Sequence, residues 1–163
     1  MEITELLARH WEDVRTIYLD GIATKQATFQ TEAPSWEEWD KAHLAALRYV
    51  AIVNNAIAGW AVLSSVSSRC VYSGVTEVSV YIHKDFRKKG IGQALLQKLI
   101  TESEANSIWT LQSGIFPENT ASIALHEKLG FRKIGYREKV GKMDGVWRDT
   151  LLMERRSKIA GQD

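Results

Sequence analysis

With 163 residues, 45% of them apolar and 25% charged, the chain has the size and makeup of one globular domain with a proper core. Its 21 basic and 20 acidic side chains leave a formal charge of +1, so no global field favours nucleic acid or an acidic membrane, and any anion must be held locally. Cys70 is the only cysteine, which excludes an intrachain disulfide and a multi-cysteine metal site; no metal is expected.

"MEITELL" reads as a short first strand. The N-terminal stretch carries charges where a secretory signal would be apolar, and no window reaches the roughly 20 apolar residues of a membrane span, so a cytoplasmic protein is expected. Trp11, Val14, Tyr18 and Ile22 fall at helical spacing and predict a helix over residues 10–22. "TKQATFQTEAP" reads as a surface loop. Ser35 and Glu38 form a capping-box pair that opens a second helix, expected to run to about Leu47. "RYVAIV" and "IAGWAVLSSV" flank Asn54-Asn55 as a hairpin. "VTEVSVYI" alternates, with Val78, Val80 and Ile82 on one face and Glu77, Ser79 and Tyr81 on the other.

Ile91, Leu95, Leu96, Leu99 and Ile100 mark a third helix, and "IWTLQSGIF" another strand. Asn119 reads as an N-cap, Leu125 and Leu129 as a helical face, and Gly130 as the glycine that ends it. "FRKIGYREKV" and "VWRDTLLMER" surround "GKMDG" as a closing hairpin. One domain over residues 1–157 is expected, with 158–163 as a frayed tail. The predicted class is α/β (α+β): a mixed, mostly antiparallel sheet with helices on both faces.

Between the alternating strand and the third helix lies "RKKGIG", residues 87–92. The first N–H groups of a helix lack internal partners, and the helix dipole makes that end electropositive. Gly90 and Gly92 let an anion approach the backbone and permit positive φ. Arg87, Lys88 and Lys89 add charge at the same place, which suits a phosphate or pyrophosphate. It is neither a Walker loop nor the dinucleotide fingerprint, whose spacings are absent. Taken alone, it could equally be a turn that happens to be cationic.

R-x-x-G-x-G after an alternating strand, followed by "NTASIALHEKLGF", resembles the GNAT family of acetyl-CoA-dependent N-acetyltransferases, and the likeness covers almost the whole chain. "IATKQATFQTEAP", "TEVSVYIH" and "KMDGVWRDT" are similar to the phosphinothricin and methionine sulfone acetyltransferase branch. Phe86 departs from the His often found there. The resemblance implies a GNAT-type sheet, a homodimer, a small amino-acid-like amine as substrate and acetyl-CoA as donor. It implies that the backbone of Val80, Tyr81 and Ile82 pairs with the pantetheine arm and a nearby N–H polarises the thioester carbonyl. The loop Arg87, Lys88, Lys89, Gly90, Ile91, Gly92 and Gln93 would hold the pyrophosphate, with Asn119 and Ser122 further along the cofactor.

Glu77, in a core strand between Val75 and Val78, would be partly desolvated and suited to take a proton. The resemblance makes it the catalytic base, directly or through water; without it, a solvent-facing strand carboxylate fits as well. His126 stands where many family members carry the Tyr that protonates coenzyme A, and histidine can do that near neutral pH; a helix histidine can also be merely structural. Phe29, Arg69 and Tyr72 fit substrate binding by resemblance, with Arg69 for an acid group, and Trp147 could face the pocket. His10, His43 and His83 are read as structural. The other readings left open are a GNAT enzyme acting on a protein N-terminus or aminoglycoside, and a non-catalytic acetyl-CoA-binding module. No nucleic-acid or membrane partner is expected.

Overall fold

Seven strands form one sheet in the order β1-β2-β3-β4-β5-β7-β6 in the computed structural model, which describes residues 1–163. They are β1 (Glu2–Glu5), β2 (Tyr49–Val53), β3 (Ala56–Ser65), β4 (Val75–Ile82), β5 (Thr110–Ile115), β6 (Arg132–Met143) and β7 (Val146–Arg156). Every neighbouring pair is antiparallel except β4 and β5. Asn54 and Asn55 both take positive φ, as do Asp144 and Gly145, and such two-residue turns match the twist of the hairpins they close. The closing hairpin is therefore longer than expected: β6 runs through Met143 and only Asp144-Gly145 turns.

Four helices cover the sheet: α1 (Trp11–Ala23), α2 (Trp36–Ala42), α3 (Ile91–Ala105) and α4 (Thr120–Lys128). On one face Trp11, Val14 and Ile17 of α1 and Trp39 of α2 bury against Val50, Trp60 and Val62. The Trp60 indole N–H also donates to Val14 O across that layer. On the other face Ile91, Leu95, Leu96, Leu99 and Ile100 of α3 are each no more than 3% exposed, packed on Val78, Leu111 and Met153. Burying such a side chain stabilises by about 1.5–3 kcal/mol, so α3 is the main anchor of that layer. The expected alternation holds: Val78, Val80 and Ile82 pack toward α3, while Tyr81 stacks on Trp60.

One expectation gives way. Helix α2 ends at Ala42, not near Leu47, because His43 leaves the helix with extended backbone. The buried Arg48 guanidinium then takes over the unpaired carbonyls, donating to Asp40 O, His43 O and Leu44 O, and pairs with the Asp40 carboxylate. Residues 158–163 form no helix or strand; Arg156 donates to Ala160 O and Gly161 O, and Ala160 is buried.

Replacing Arg48 by Ala leaves several carbonyls without donors and should cost about 2–3 kcal/mol. A thermal melt should fall by on the order of 5–10 °C, and an unchanged midpoint would show that the loop does not depend on this side chain.

Candidate active site

Strands β4 and β5 pair only through Val75–Thr110, Thr76–Leu111 and Glu77–Gln112, and then diverge. Beyond the divergence a cleft of about 1300 Å³ opens. Its walls are Glu77 to Tyr81 of β4, Gln112 to Ile115 of β5, the loop from Gln26 to Pro34, and the first turns of α4. His83 N–H donates to Ala58 O on β3. Alternation along an antiparallel strand then directs the backbone groups of Val80 and Ile82 away from β3, toward the gap, and those of Tyr81 toward β3. Tyr81 belongs to the site by its ring, which lines the cleft, stacked on Trp60 at 4.7 Å and edge-on to Tyr18 at 5.1 Å. Burial raises the pKa of both phenols.

Glu77 is half-buried on the cleft wall, and Gln112 Nε2 donates to its Oε2 at 3.3 Å. Gln112 has no sequence signal of its own; parallel register alone sets it opposite Glu77. His126 also lines the cleft and is 4% exposed. Its Nδ1 lies 2.7 Å from Ser122 O, and a carbonyl can only accept, so Nδ1 carries the proton. Nε2 is left as a buried lone pair with no protein partner. Burial pushes this imidazole below its ordinary pKa, against a smaller upward effect of the Ser122 carbonyl. At neutral pH the Nε2 of His126 is thus unprotonated.

Asn119 caps α4 through Oδ1, accepting from Ser122 N–H, while Nδ2 donates to Gln26 O; both polar atoms tie the cleft wall together. Phe29 packs edge-on to Phe116 at 4.8 Å and lies so close to β6 that a Cβ on Gly141 would come within 3.1 Å of its ring. Arg69 and Tyr72 are not brought to the cleft. They flank the exposed turn Cys70–Tyr72 before β4, with the guanidinium 5.6 Å over the Tyr72 ring. Trp147 is likewise outside, 52% exposed beneath the Lys142 ammonium. The cations that do reach the cleft are Arg137 and Lys142 of β6. Sequence gives no cue for them, since β6 reads as one more charged strand.

At the start of α3, Gly90 has φ +77 and open space around its missing Cβ, and Lys88 has φ +61. Gly92 serves packing, since a Cβ there would lie 3.3 Å from Leu125. Arg87, Lys88 and Lys89 are exposed and enter none of the ion pairs; Lys89 lies 5.2 Å over the Phe86 ring. Gln93 follows in the first turn, where no acidic residue competes for the free N–H groups, and the Ile91 side chain is buried in the core.

The model of the Acetyltransferase (GNAT) family matches residues 5–131. The chain belongs to the GNAT family of acetyltransferases. Among its curated relatives, a phosphinothricin N-acetyltransferase of Alcaligenes faecalis is 33% identical over 148 residues, 87% of this chain and 75% of that protein. An L-methionine sulfoximine/L-methionine sulfone acetyltransferase of Pseudomonas aeruginosa is 40% identical over 83 residues, 51% of this chain and 48% of the relative. In structure, the chain matches a GNAT superfamily phosphinothricin acetyltransferase from Sinorhizobium meliloti in complex with acetyl-CoA, with TM-score 0.89 and 27% identity, covering 99% of this chain and 91% of that one. No helix in this GNAT protein is long and apolar enough to cross a membrane.

The neutral state of His126 makes stability pH-dependent. Unfolded imidazole binds a proton below about pH 6.5, while the folded one does so only at lower pH. Between those values the unfolded state holds more protons, so stability is full above the window and falls as pH drops through it. Urea midpoints measured across this range should decline less in His126→Gln than in the parent; parallel curves would contradict the assigned neutral state.

Proposed function

We propose that the protein transfers the acetyl group of acetyl-CoA to the primary amine of a small amino-acid-like acceptor, of the phosphinothricin or methionine sulfone and sulfoximine type. The observation that carries the reading is the divergence of β4 from β5, which sets Glu77 and His126 around one cleft. The residues present fit the donor. Val80 and Ile82 offer unpaired backbone groups to an extended arm, and the α3 N-terminus with Gly90 and three unpaired cations suits a diphosphate. Bound there, the thioester supplies an activated acetyl group.

The chain's own part is proton handling and orientation. Glu77, held by Gln112, takes up a proton that the nitrogen must lose on its way from ammonium to amide. A proton taken up at His126 Nε2 is available for the leaving sulfur. Holding both reactants in one cleft removes much of the entropic barrier. Glu32, Glu38 and Glu77 give the cleft acidic groups, while Arg137 and Lys142 add cations from β6. This distribution suits a zwitterion better than a polycation. Arg137, which enters no ion pair, takes the acid-binding part first expected of Arg69. A cytoplasmic setting, where the donor is at hand, belongs to the same reading.

The proposal includes a homodimer. Ile134, Tyr136 and Val140 of edge strand β6 and Val146 and Trp147 of β7 are exposed, and a second copy would cover them.

Coenzyme A release should follow addition of methionine sulfone or phosphinothricin and be weak with aminoglycosides or an N-terminal peptide. Glu77→Gln should lower kcat about 100-fold; binding of acetyl-CoA with no turnover on any amine would instead favour a non-catalytic module. Light scattering in solution should give twice the chain mass, and a monomer at micromolar concentration would remove the dimer from the reading.

A further inference from the structure

Helix α2 breaks at a residue that the sequence left without a task. His43 takes φ −122 and ψ 158, and two contacts fix its backbone: Arg48 donates to His43 O, and Leu44 N–H donates to Leu63 O of β3 at 2.8 Å. Its ring packs on Trp39 at 4.4 Å and lines the same cleft as Glu77. His43 Nδ1 lies 2.7 Å from Trp39 O. A carbonyl only accepts, so Nδ1 carries the proton and Nε2 bears the lone pair, without a protein partner. His126 is held in the same way, by the carbonyl four residues before it. Ser64 and Glu77, which face each other across β3 and β4, line the same cleft.

We propose that His43 is a second proton acceptor of this site, taking at Nε2 the proton shed by the acceptor's ammonium group. The proposal rests on the transferase reading above. One ammonium N–H bond breaks, its proton passes to Nε2 directly or across one water, and the lone pair stays on the nitrogen as the nucleophile. The imidazolium then returns the proton to solvent through the open cleft. Glu77 Oε2 is already engaged by Gln112, whereas His43 uses only Nδ1 and keeps Nε2 open to a proton.

The groups that set the state of the ring can be named. Burial pushes it below its ordinary pKa, the Trp39 carbonyl opposes this, and Arg48 lowers what Asp40 raises. Glu32 of the loop, Glu38 of α2, Glu77 of β4, His126 of α4, and Arg137 and Lys142 of β6 line the same cleft; β3 brings only the uncharged Trp60 and Ser64.

The test is His43→Asn, whose amide N–H can keep the bond to Trp39 O while nothing replaces Nε2. With methionine sulfone as acceptor, kcat/KM should fall about 100-fold at pH 7. The deficit should shrink toward pH 9, where more acceptor is already neutral, with the melting temperature and the KM for acetyl-CoA unchanged. Free imidazole should restore turnover to His43→Ala, and nitrogen NMR of the unliganded protein at pH 7 should show the Nδ1–H tautomer. An unchanged pH profile, an equal loss at every pH, no rescue, or the Nε2–H tautomer would each overturn the proposal. Absence of turnover in the parent protein with any amine would sink the transferase reading itself, whereas a parent that turns over and a matching His43→Asn would sink only the role of His43.

Discussion

Parallel strands need a crossover connection, and here α3 supplies it between β4 and β5. The pair they form lasts for three residues at one end and then opens. An opened sheet costs unpaired backbone groups, so such a gap persists only because each strand is held from its other side. β4 is paired to β3 along its length and β5 to β7 along its length, and α3 packs beneath with a row of buried leucines and isoleucines. The cleft and the exposed backbone edge of β4 follow from that one interruption, and Glu77 meets Gln112 on the last rung before it.

Around the gap, local devices do the finer placing. Asn119 joins two walls with one side chain, capping α4 and holding the loop that carries Phe29 through Gln26. Arg148 adds to this, reaching Lys25 O, Gln26 Oε1 and Glu118 while lying over the Phe116 ring at 4.1 Å. This part of the cleft wall is therefore built from segments distant in sequence and tied by hydrogen bonds to carbonyls. Charge is distributed in a corresponding way. The start of α3 presents helix-terminal N–H groups and unpaired cations, while burial lowers the pKa of the imidazoles of the cleft.

Much of the architecture was legible because it is periodic or local. Alternation in "VTEVSVYI" placed Tyr81 and Val80 on opposite faces, and the helical spacing in α3 named its buried row. Ser35 with Glu38 and Asn119 with Ser122 form the caps their residue types suggest. The end of α2 was not legible. The stretch after His43 keeps a helical composition, and only Arg48, placed by the start of β2, reaches back to take its carbonyls. In the tail, Arg156 of β7 likewise binds carbonyls that lie beyond the strand.

For the site, the chain alone named the cationic glycine loop and the candidate proton carriers, because glycine conformation, cationic side chains and helix position are properties of short segments. What tertiary structure decided was which of these meet. It set Gln112 against Glu77 by strand register, turned Arg69 and Tyr72 to solvent, and brought Arg137 and His43 to the cleft. Those outcomes depend on how strands far apart in the chain are aligned and where a helix is forced to stop, and no residue carries that information by itself.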